Sequence, residues 1–218
     1  MKIRTLEQLT LTLDEDLVWR KKEISLLKSF VTKKFNNSQE DAHTRSLVVI
    51  TYAHWEGFIK NSSQAYLNYV SMRKLPYAHL SINMLSIAIR KILGRAFQSK
   101  KLEDHIELVD FFDSKMQEKF SDNVENSINT KSNLSSDVFF EILLSVGIDK
   151  SKFEGKKNLI DEKLLKSRNS IAHGSELLIS QEDAISTSET IIQMLDLFKT
   201  EILDAAQFKL YMNSKARE

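Results

Sequence analysis

The sequence predicts an all-α fold, a helical bundle of about five to seven helices. Only five glycines and one proline occur in 218 residues, so few positions break a helix or form a tight turn. Apolar residues make up 42% and charged residues 28%, as in an ordinary globular protein. Several long segments repeat apolar residues at helical spacing. No repeat or low-complexity linker divides the chain, so we expect one domain over residues 1–218.

Two long helices are expected in the first half of the chain. The acids Asp14–Asp16 are expected to begin the first helix, and Lys33–Lys34 to end it, because this arrangement suits the helix dipole. Ser38 and Asp41 resemble a capping box that opens the second helix, which runs to about Met72. This second helix is apolar on several faces, which is typical of a central helix.

The rest of the chain is expected to form shorter helices and one long one. Residues 98–135 are polar and mixed, and a mobile stretch is expected at 121–136. Gly174 is expected to end a helix, since glycine adopts the left-handed conformation at little cost. The expected segments are a third helix after Pro76 containing Leu85–Leu93, then Leu102–Phe112, Asp137–Val146, Leu159–Ala172 and a last helix begun by Ser180 with Asp183.

Composition limits the classes of function. No cysteine occurs, so disulfides and thiolate–metal sites are excluded, and a reducing cytoplasm is the expected location. The N-terminus lacks the apolar run of a signal peptide, and we expect no membrane contact. The five histidines show no metal-binding spacing, so neither metal nor cofactor is expected. Because the net charge is only +1, any contact with RNA should be short, or helped by a partner.

One segment carries candidate chemistry, the string RNSIAHG at residues 168–174. It places Arg168, Asn169 and His173 at a helix end. An arginine followed five to seven residues later by a histidine is a weak pattern alone, because Arg73 and His79 also fit it. The second pair spans Pro76, however, and therefore a helix break.

The string RNSIAHG resembles the R-x(4–6)-H signature of the HEPN superfamily (higher eukaryotes and prokaryotes nucleotide-binding domain). WRKKE at 19–23 and YAHWEGFIK at 52–60 resemble one branch, the MAE-type HEPN-like nucleases. The resemblance covers most of the chain outside 98–135. It implies an all-helical homodimer that cleaves RNA, in toxin–antitoxin modules or antiviral defence, with a possible antitoxin or defence-system partner protein.

These residue types suit RNA cleavage without a metal. The 2′-hydroxyl of RNA is its own nucleophile, so the protein must move protons and stabilise charge on phosphorus. Histidine serves as base or acid near neutrality. The planar arginine fork matches two phosphate oxygens, and the amide of Asn169 is available to orient either group or the phosphate. We therefore expect a ribonuclease, a hydrolase-type nuclease, with Arg168, His173 and Asn169 at its site.

The spacing of the motif also suggests two subunits. Five helical steps of about 100° rotate His173 roughly 140° away from Arg168. One chain supplies one histidine, whereas two chains meeting on a two-fold axis supply both a base and an acid.

Other interpretations stay open. Arg168 could pair with an acid and His173 cap its helix, and the protein could be a non-catalytic helical dimer that binds RNA or a partner protein, or an antitoxin-like regulator. His54 and Glu56 are either a satisfied polar pair in the core or a support beside the cleft. Lys166 is a candidate for steering a phosphate. The aromatic residues expected in the core are Trp19, Tyr52, Trp55 and Phe58.

Overall fold

The computed structural model describes residues 2–33, 37–120 and 127–217, and it confirms the all-α prediction. Two segments are π-helical, Phe111–Lys115, which continues α5, and Leu159–Lys166, which leads into α7. The α-helices of the described residues are α1 Leu6–Val31, α2 Asn37–Ser71, α3 Ile82–Ala88, α4 Arg90–Gln98, α5 Leu102–Asp110, α6 Ser136–Val146, α7 Ser167–Ala172, α8 Gln181–Gln207 and α9 Ser214–Arg217.

The three long helices, α1, α2 and α8, pack against one another, and α2 also contacts α6 and α7. The prediction that the second helix is central is therefore confirmed. Its large side chains Tyr52, Trp55 and Phe58 are fully buried. Such burial contributes about 2–3 kcal/mol to the free energy of unfolding for each large apolar side chain. Helix α2 is therefore the helix against which the others pack.

The predicted start of the first helix is wrong. Helix α1 begins at Leu6, eight residues before Asp14, and the hydroxyl of Thr5 caps it by accepting the Gln8 N–H at 3.2 Å. Asp14 and Asp16, two of the acids expected to begin it, lie inside the helix and have partners instead. Asp14 accepts from Lys199 of α8 at 2.7 Å, and Asp16 pairs with Arg20 at 3.0 Å. A pair between two helices for Asp14, and a pair within α1 for Asp16, therefore explain these two acids better than the helix dipole does.

Two other expectations need correction. The third helix is split into α3 and α4 at Ile89, whose φ of −94° and ψ of 5° leave the helical region and whose side chain is buried. The stretch at 121–136 was expected to be mobile. Residues 121–126 lie outside the described part, whereas 127–135 bury Ile128, Thr130 and Leu134. Packing against the core therefore fixes residues 127–135, although their polar sequence resembles that of a mobile loop. Helix α2 begins at Asn37, one residue before Ser38, which was expected to cap it.

The segment that carries the RNSIAHG motif is fixed to the core from one side. Asp161, in the π-helical segment before α7, accepts hydrogen bonds from the backbone N–H of Ser136 at 2.8 Å and from its hydroxyl at 2.5 Å. These bonds tie the segment to the first turn of α6, while Ile160 and Leu164 are fully buried. The motif is therefore presented by a rigid support. Among the described residues, no helix is both long and apolar enough to cross a membrane.

Candidate active site

Arg168 lies in the first turn of α7 with its side chain half-buried. Its Nη1 donates to two amide oxygens, Oδ1 of Asn169 at 2.7 Å and Oδ1 of Asn133 at 2.9 Å. In the described part of the chain, no carboxylate lies within ion-pair distance of this guanidinium. The charge of Arg168 is thus oriented by neutral groups and is not neutralised by an acid.

Tyr52 of α2 supports this guanidinium in two ways. The Cζ atom of Arg168 lies 4.3 Å from the centre of the Tyr52 ring, a cation–π contact. The Tyr52 hydroxyl accepts the backbone N–H of Leu134 at 2.8 Å, which holds the neighbouring Asn133 beside Arg168. Burial raises the pKa of Tyr52 to about 12, and the nearby carboxylate of Glu56 acts in the same direction. Tyr52 is therefore neutral and available as this acceptor at physiological pH.

The remaining donors of Arg168 are open. Its Nε and Nη2 atoms have no hydrogen-bond acceptor among residues 2–33, 37–120 and 127–217. These are the atoms with which arginine binds two oxygens of one phosphate. A guanidinium whose Nη1 is held while its other donors are free is pre-oriented to bind an oxyanion.

His173 occupies the end of α7, where its backbone N–H closes the helix on the Asn169 carbonyl at 3.0 Å. Gly174 follows with φ +80°, and it donates to the Ile171 carbonyl at 3.0 Å. This left-handed glycine ends the helix as the sequence predicted. The His173 side chain is exposed and has no hydrogen-bond partner within the described ranges. Its imidazole is therefore free to exchange protons with a bound molecule.

His54 and Glu56 do not form a pair, although the sequence suggested one. Glu56 is half-buried beside Tyr52, on the side of α2 that faces Arg168. His54 is buried on the opposite side of α2, where its Nε2 lies 2.6 Å from Oε2 of Glu23 in α1. The interpretation of satisfied core hydrogen bonds fits His54, while Glu56 alone lies near the candidate site.

The buried histidine joins α1 to α2 through a polar cluster formed by Asp16, Arg20, Glu23 and His54. Nη1 of Arg20 lies 3.4 Å from Nδ1 of His54. Because arginine only donates, Nδ1 accepts, so Nε2 carries the hydrogen that is donated to Glu23. A Cβ on Gly57 would lie 2.7 Å from Nη1 of Arg20, so a side chain at this position would require the guanidinium to shift.

Trp19 corrects one further expectation. It was expected in the core, but 49% of its surface is exposed. Its indole packs edge-on against His54 at 4.9 Å between ring centres, and its Nε1 donates to Asp16 at 3.0 Å. The WRKKE and HWEG stretches, far apart in sequence, therefore meet in space around His54.

Comparison with known families identifies the chain. A family model described as RiboL-PSP-HEPN matches residues 15–204, well over half of the sequence. The chain belongs to this HEPN family. No curated protein and no solved structure matches the chain closely enough to add a named relative. Membership in the HEPN superfamily, predicted from the RNSIAHG string, is confirmed, while the narrower assignment to the MAE-type branch stays a prediction.

The remaining predicted residue of this HEPN protein lies apart from the others. Lys166 is exposed and pairs with Glu162 one turn earlier at 2.7 Å, so it does not contact Arg168. The alternative match, in which the histidine follows six residues after the arginine, lies elsewhere: Arg73 stacks on Tyr69 at 4.4 Å, and His79 lies beyond the end of α2.

Two residues around Arg168 were missed by sequence reasoning. Asn133 lies in the stretch that could not be interpreted, 35 residues before Arg168, and no local pattern marks it. Tyr52 belongs to a stretch that resembles HEPN-like nucleases, but its aromatic side chain was assigned to the core alone. Tyr52 is indeed buried. Its contact with the guanidinium of Arg168 is seen only in the folded structure, where α7 packs against α2.

The polar cluster of this HEPN protein makes a prediction about pH. Burial lowers the pKa of His54 below its ordinary value of 6.5, although Glu23 opposes the shift. The unfolded chain therefore takes up this proton at higher pH than the folded chain. The stability that neutral His54 provides is present above pH 6.5 and is lost as the pH falls toward the lowered value.

A His54→Gln variant tests the effect, because glutamine keeps one donor and one acceptor but does not titrate. We expect the melting temperature of the unmodified protein to fall relative to that of the variant as the pH is lowered below 6.5. The other four histidines are present in both proteins and cancel in the comparison. A gap in melting temperature that stays constant or widens in acid would contradict the assignment.

Proposed function

We propose that this protein is a metal-independent endoribonuclease that cleaves RNA by transesterification. The observation that supports the proposal best is the half-buried Arg168, oriented by Asn133, Asn169 and Tyr52, with its Nε and Nη2 donors open. The same short helix ends at His173, an exposed imidazole with no hydrogen-bond partner among the residues that the structure describes. Membership in the HEPN family supports a nuclease-like or RNA-related role in general.

The reaction needs two proton transfers and one site for charge. The 2′-hydroxyl loses its proton to a base, its oxygen bonds to phosphorus, and the bond from phosphorus to the 5′ oxygen breaks as an acid protonates that oxygen. The products are a 2′,3′-cyclic phosphate and a 5′-hydroxyl. His173 serves as the proton-transfer group. Arg168 binds the non-bridging oxygens, where negative charge grows in the transition state.

Each chain supplies one arginine and one histidine, so we propose that two chains form the complete site. In a homodimer with two-fold symmetry, one His173 accepts the 2′ proton and the His173 of the second chain donates to the leaving oxygen. Asn169 is a positioning residue in this scheme, since its Oδ1 accepts from Arg168. Lys166 has no place in this scheme, since its ammonium group pairs with Glu162. We propose a toxin–antitoxin module or antiviral defence as the setting, with a partner protein that restrains the activity.

The direct test is to incubate the purified protein with a mixed-sequence RNA in excess EDTA and analyse the product ends. We expect fragments that end in 2′,3′-cyclic phosphate and begin with 5′-hydroxyl, at the same rate with and without EDTA. Products with 5′-phosphate ends, or activity that EDTA removes, would contradict the mechanism. Tight RNA binding without cleavage would instead favour the non-catalytic interaction module. The low net charge of the chain also favours that alternative.

The support beneath Arg168 makes a prediction of its own. Tyr52→Phe keeps the ring under the guanidinium but removes the hydroxyl that accepts from Leu134 N–H. We expect the cleavage rate to fall about tenfold, because Asn133 then loses its fixed position and Arg168 is less well oriented. Asn133→Ala should reduce the rate by a similar factor.

A double-mutant cycle separates positioning from general loss of structure. If Tyr52 acts through Asn133, the double variant should be no slower than the slower single variant. Independent, multiplying effects on the rate would show that the hydroxyl of Tyr52 does not act through Asn133.

A further inference from the structure

The outward face of α1 carries apolar side chains that stay largely exposed, including the outer half of Trp19, whose inner side packs on His54. Leu11, Val18, Trp19 and Leu26 expose 58, 64, 49 and 56% of their surfaces. The inner sides of α1 pack against α2 and α8, so this outer face is directed to solvent. Single exposed apolar residues are ordinary, but four along one helix face form a patch of the kind that marks an interaction surface.

The residues of this face are arranged symmetrically along the helix. Val18 and Trp19 lie at its centre, Leu11 is seven residues before Val18, and Leu26 is seven residues after Trp19. The apolar residues therefore occupy the same positions whether they are counted from the N-terminal or the C-terminal end of the helix. At 100° per residue, Leu11 and Leu26 lie at equal angles on opposite sides of one line along the helix surface, and so do Val18 and Trp19. Two antiparallel helices related by a two-fold axis require this arrangement.

The charged residues obey the same symmetry with opposite sign. Glu15 and Lys22 are both exposed on this face, and neither has an ion-pair partner among the described residues. Glu15 is three residues before Val18, and Lys22 is three residues after Trp19. An antiparallel second copy would place Glu15 opposite Lys22 twice, whereas a parallel copy would place like charges together.

We propose that this face binds a second copy of the same chain, with the two α1 helices antiparallel and centred between Val18 and Trp19. Leu11 then packs near Leu26 of the second copy, and the central pair packs across the axis. Self-complementary pairing of this kind is what a two-fold interface requires.

This interface is separate from the catalytic dimer proposed above. Tyr52 faces α7 and Arg168, whereas His54, two residues later, faces α1. Helix α2 therefore lies between Arg168 and α1, and pairing through the outer face of α1 keeps the two Arg168 groups apart. Where both interfaces form, α1 pairing joins catalytic dimers into a larger assembly. Loss of α1 pairing would leave the proposed ribonuclease intact, so the two proposals fail independently.

Cysteine cross-linking tests the register directly, because the natural chain has no cysteine. In the antiparallel arrangement, residue 18 lies about 1.5 Å along the axis from its counterpart, while residue 11 lies about 22 Å from its own. Under mild oxidation in dilute solution, Val18→Cys should form covalent dimers readily and Leu11→Cys should not. The double variant Leu11→Cys/Leu26→Cys should form them, since the two positions meet. Equal cross-linking of Leu11→Cys and Val18→Cys, or none for Val18→Cys, would overturn the proposal.

A charge exchange provides the matched control in the natural background. Glu15→Lys and Lys22→Glu should each lower the mass of the assembly measured by light scattering across a concentration series, because like charges then meet twice. The double variant Glu15→Lys/Lys22→Glu should restore the original mass, since it exchanges the charges and keeps the pairing. Single variants that leave the mass unchanged, or a double variant that does not recover, would overturn the antiparallel pairing.

Discussion

Replacement of His173 by alanine is expected to slow RNA cleavage by about 10²- to 10⁴-fold, the range over which proton transfer by a positioned side chain contributes to catalysis. The larger value is expected here, because a symmetric site loses both its base and its acid. The side chain is exposed and without a partner in the described part of the chain, so the free energy of unfolding should change by less than about 0.5 kcal/mol.

The matched control is His79→Ala. His79 is also exposed and also follows an arginine at HEPN spacing, but it lies at the far end of α2. We expect this variant to cleave RNA at the unmodified rate. Cleavage by purified His173→Ala within a few-fold of the unmodified protein, with an unchanged melting temperature, would remove His173 from the mechanism.

Replacement of Arg168 is expected to have an effect of similar size. Arg168→Ala should slow cleavage by about 10²- to 10³-fold, the usual cost of losing one oriented donor to a transition-state oxyanion. Arg168→Lys should recover little of this loss. Lysine keeps the charge but lacks the planar fork that holds two acceptors with Nη1 and leaves Nε and Nη2 for phosphate.

Arg73→Lys is the matched control for this variant, because Arg73 also stacks on a tyrosine ring, that of Tyr69 at 4.4 Å. It should leave the cleavage rate unchanged. The stability cost of Arg168→Lys should be near 1 kcal/mol, which circular dichroism measures before any assay. Full activity of Arg168→Lys would show that charge alone is needed and that the orientation by Asn133 and Asn169 has no role.

Much of the fold could be predicted from local sequence. The scarcity of glycine and proline indicated long helices, and apolar residues on several faces of α2 indicated its central position. Gly174 and Ser180 marked a helix end and a helix start correctly, since left-handed glycine and side-chain capping are local effects that neighbouring residues decide.

Features that depend on other helices could not be predicted in this way. Asp14 suggested a helix start, but its carboxylate pairs with Lys199, 185 residues away. Asn133 accepts from Arg168, 35 residues away, and Tyr52 binds the backbone of the adjacent Leu134. Trp19 is a large aromatic residue of the type usually found in a core, yet it lies on the surface and packs against His54. In each case the partner is distant in sequence, so no local pattern marks the contact.

The central claim is that arginine and histidine from two chains act on one phosphodiester. It is tested most directly by a heterodimer of a chain with natural His173 and a His173→Ala chain, both carrying Glu15→Lys to remove α1 pairing, co-expressed with two different tags and purified through both. We predict that its cleavage rate is lower than that of the unmodified dimer by about 10² or more, because one histidine cannot serve as both base and acid. A heterodimer with half the unmodified rate would contradict the account, since each chain would then carry a complete site.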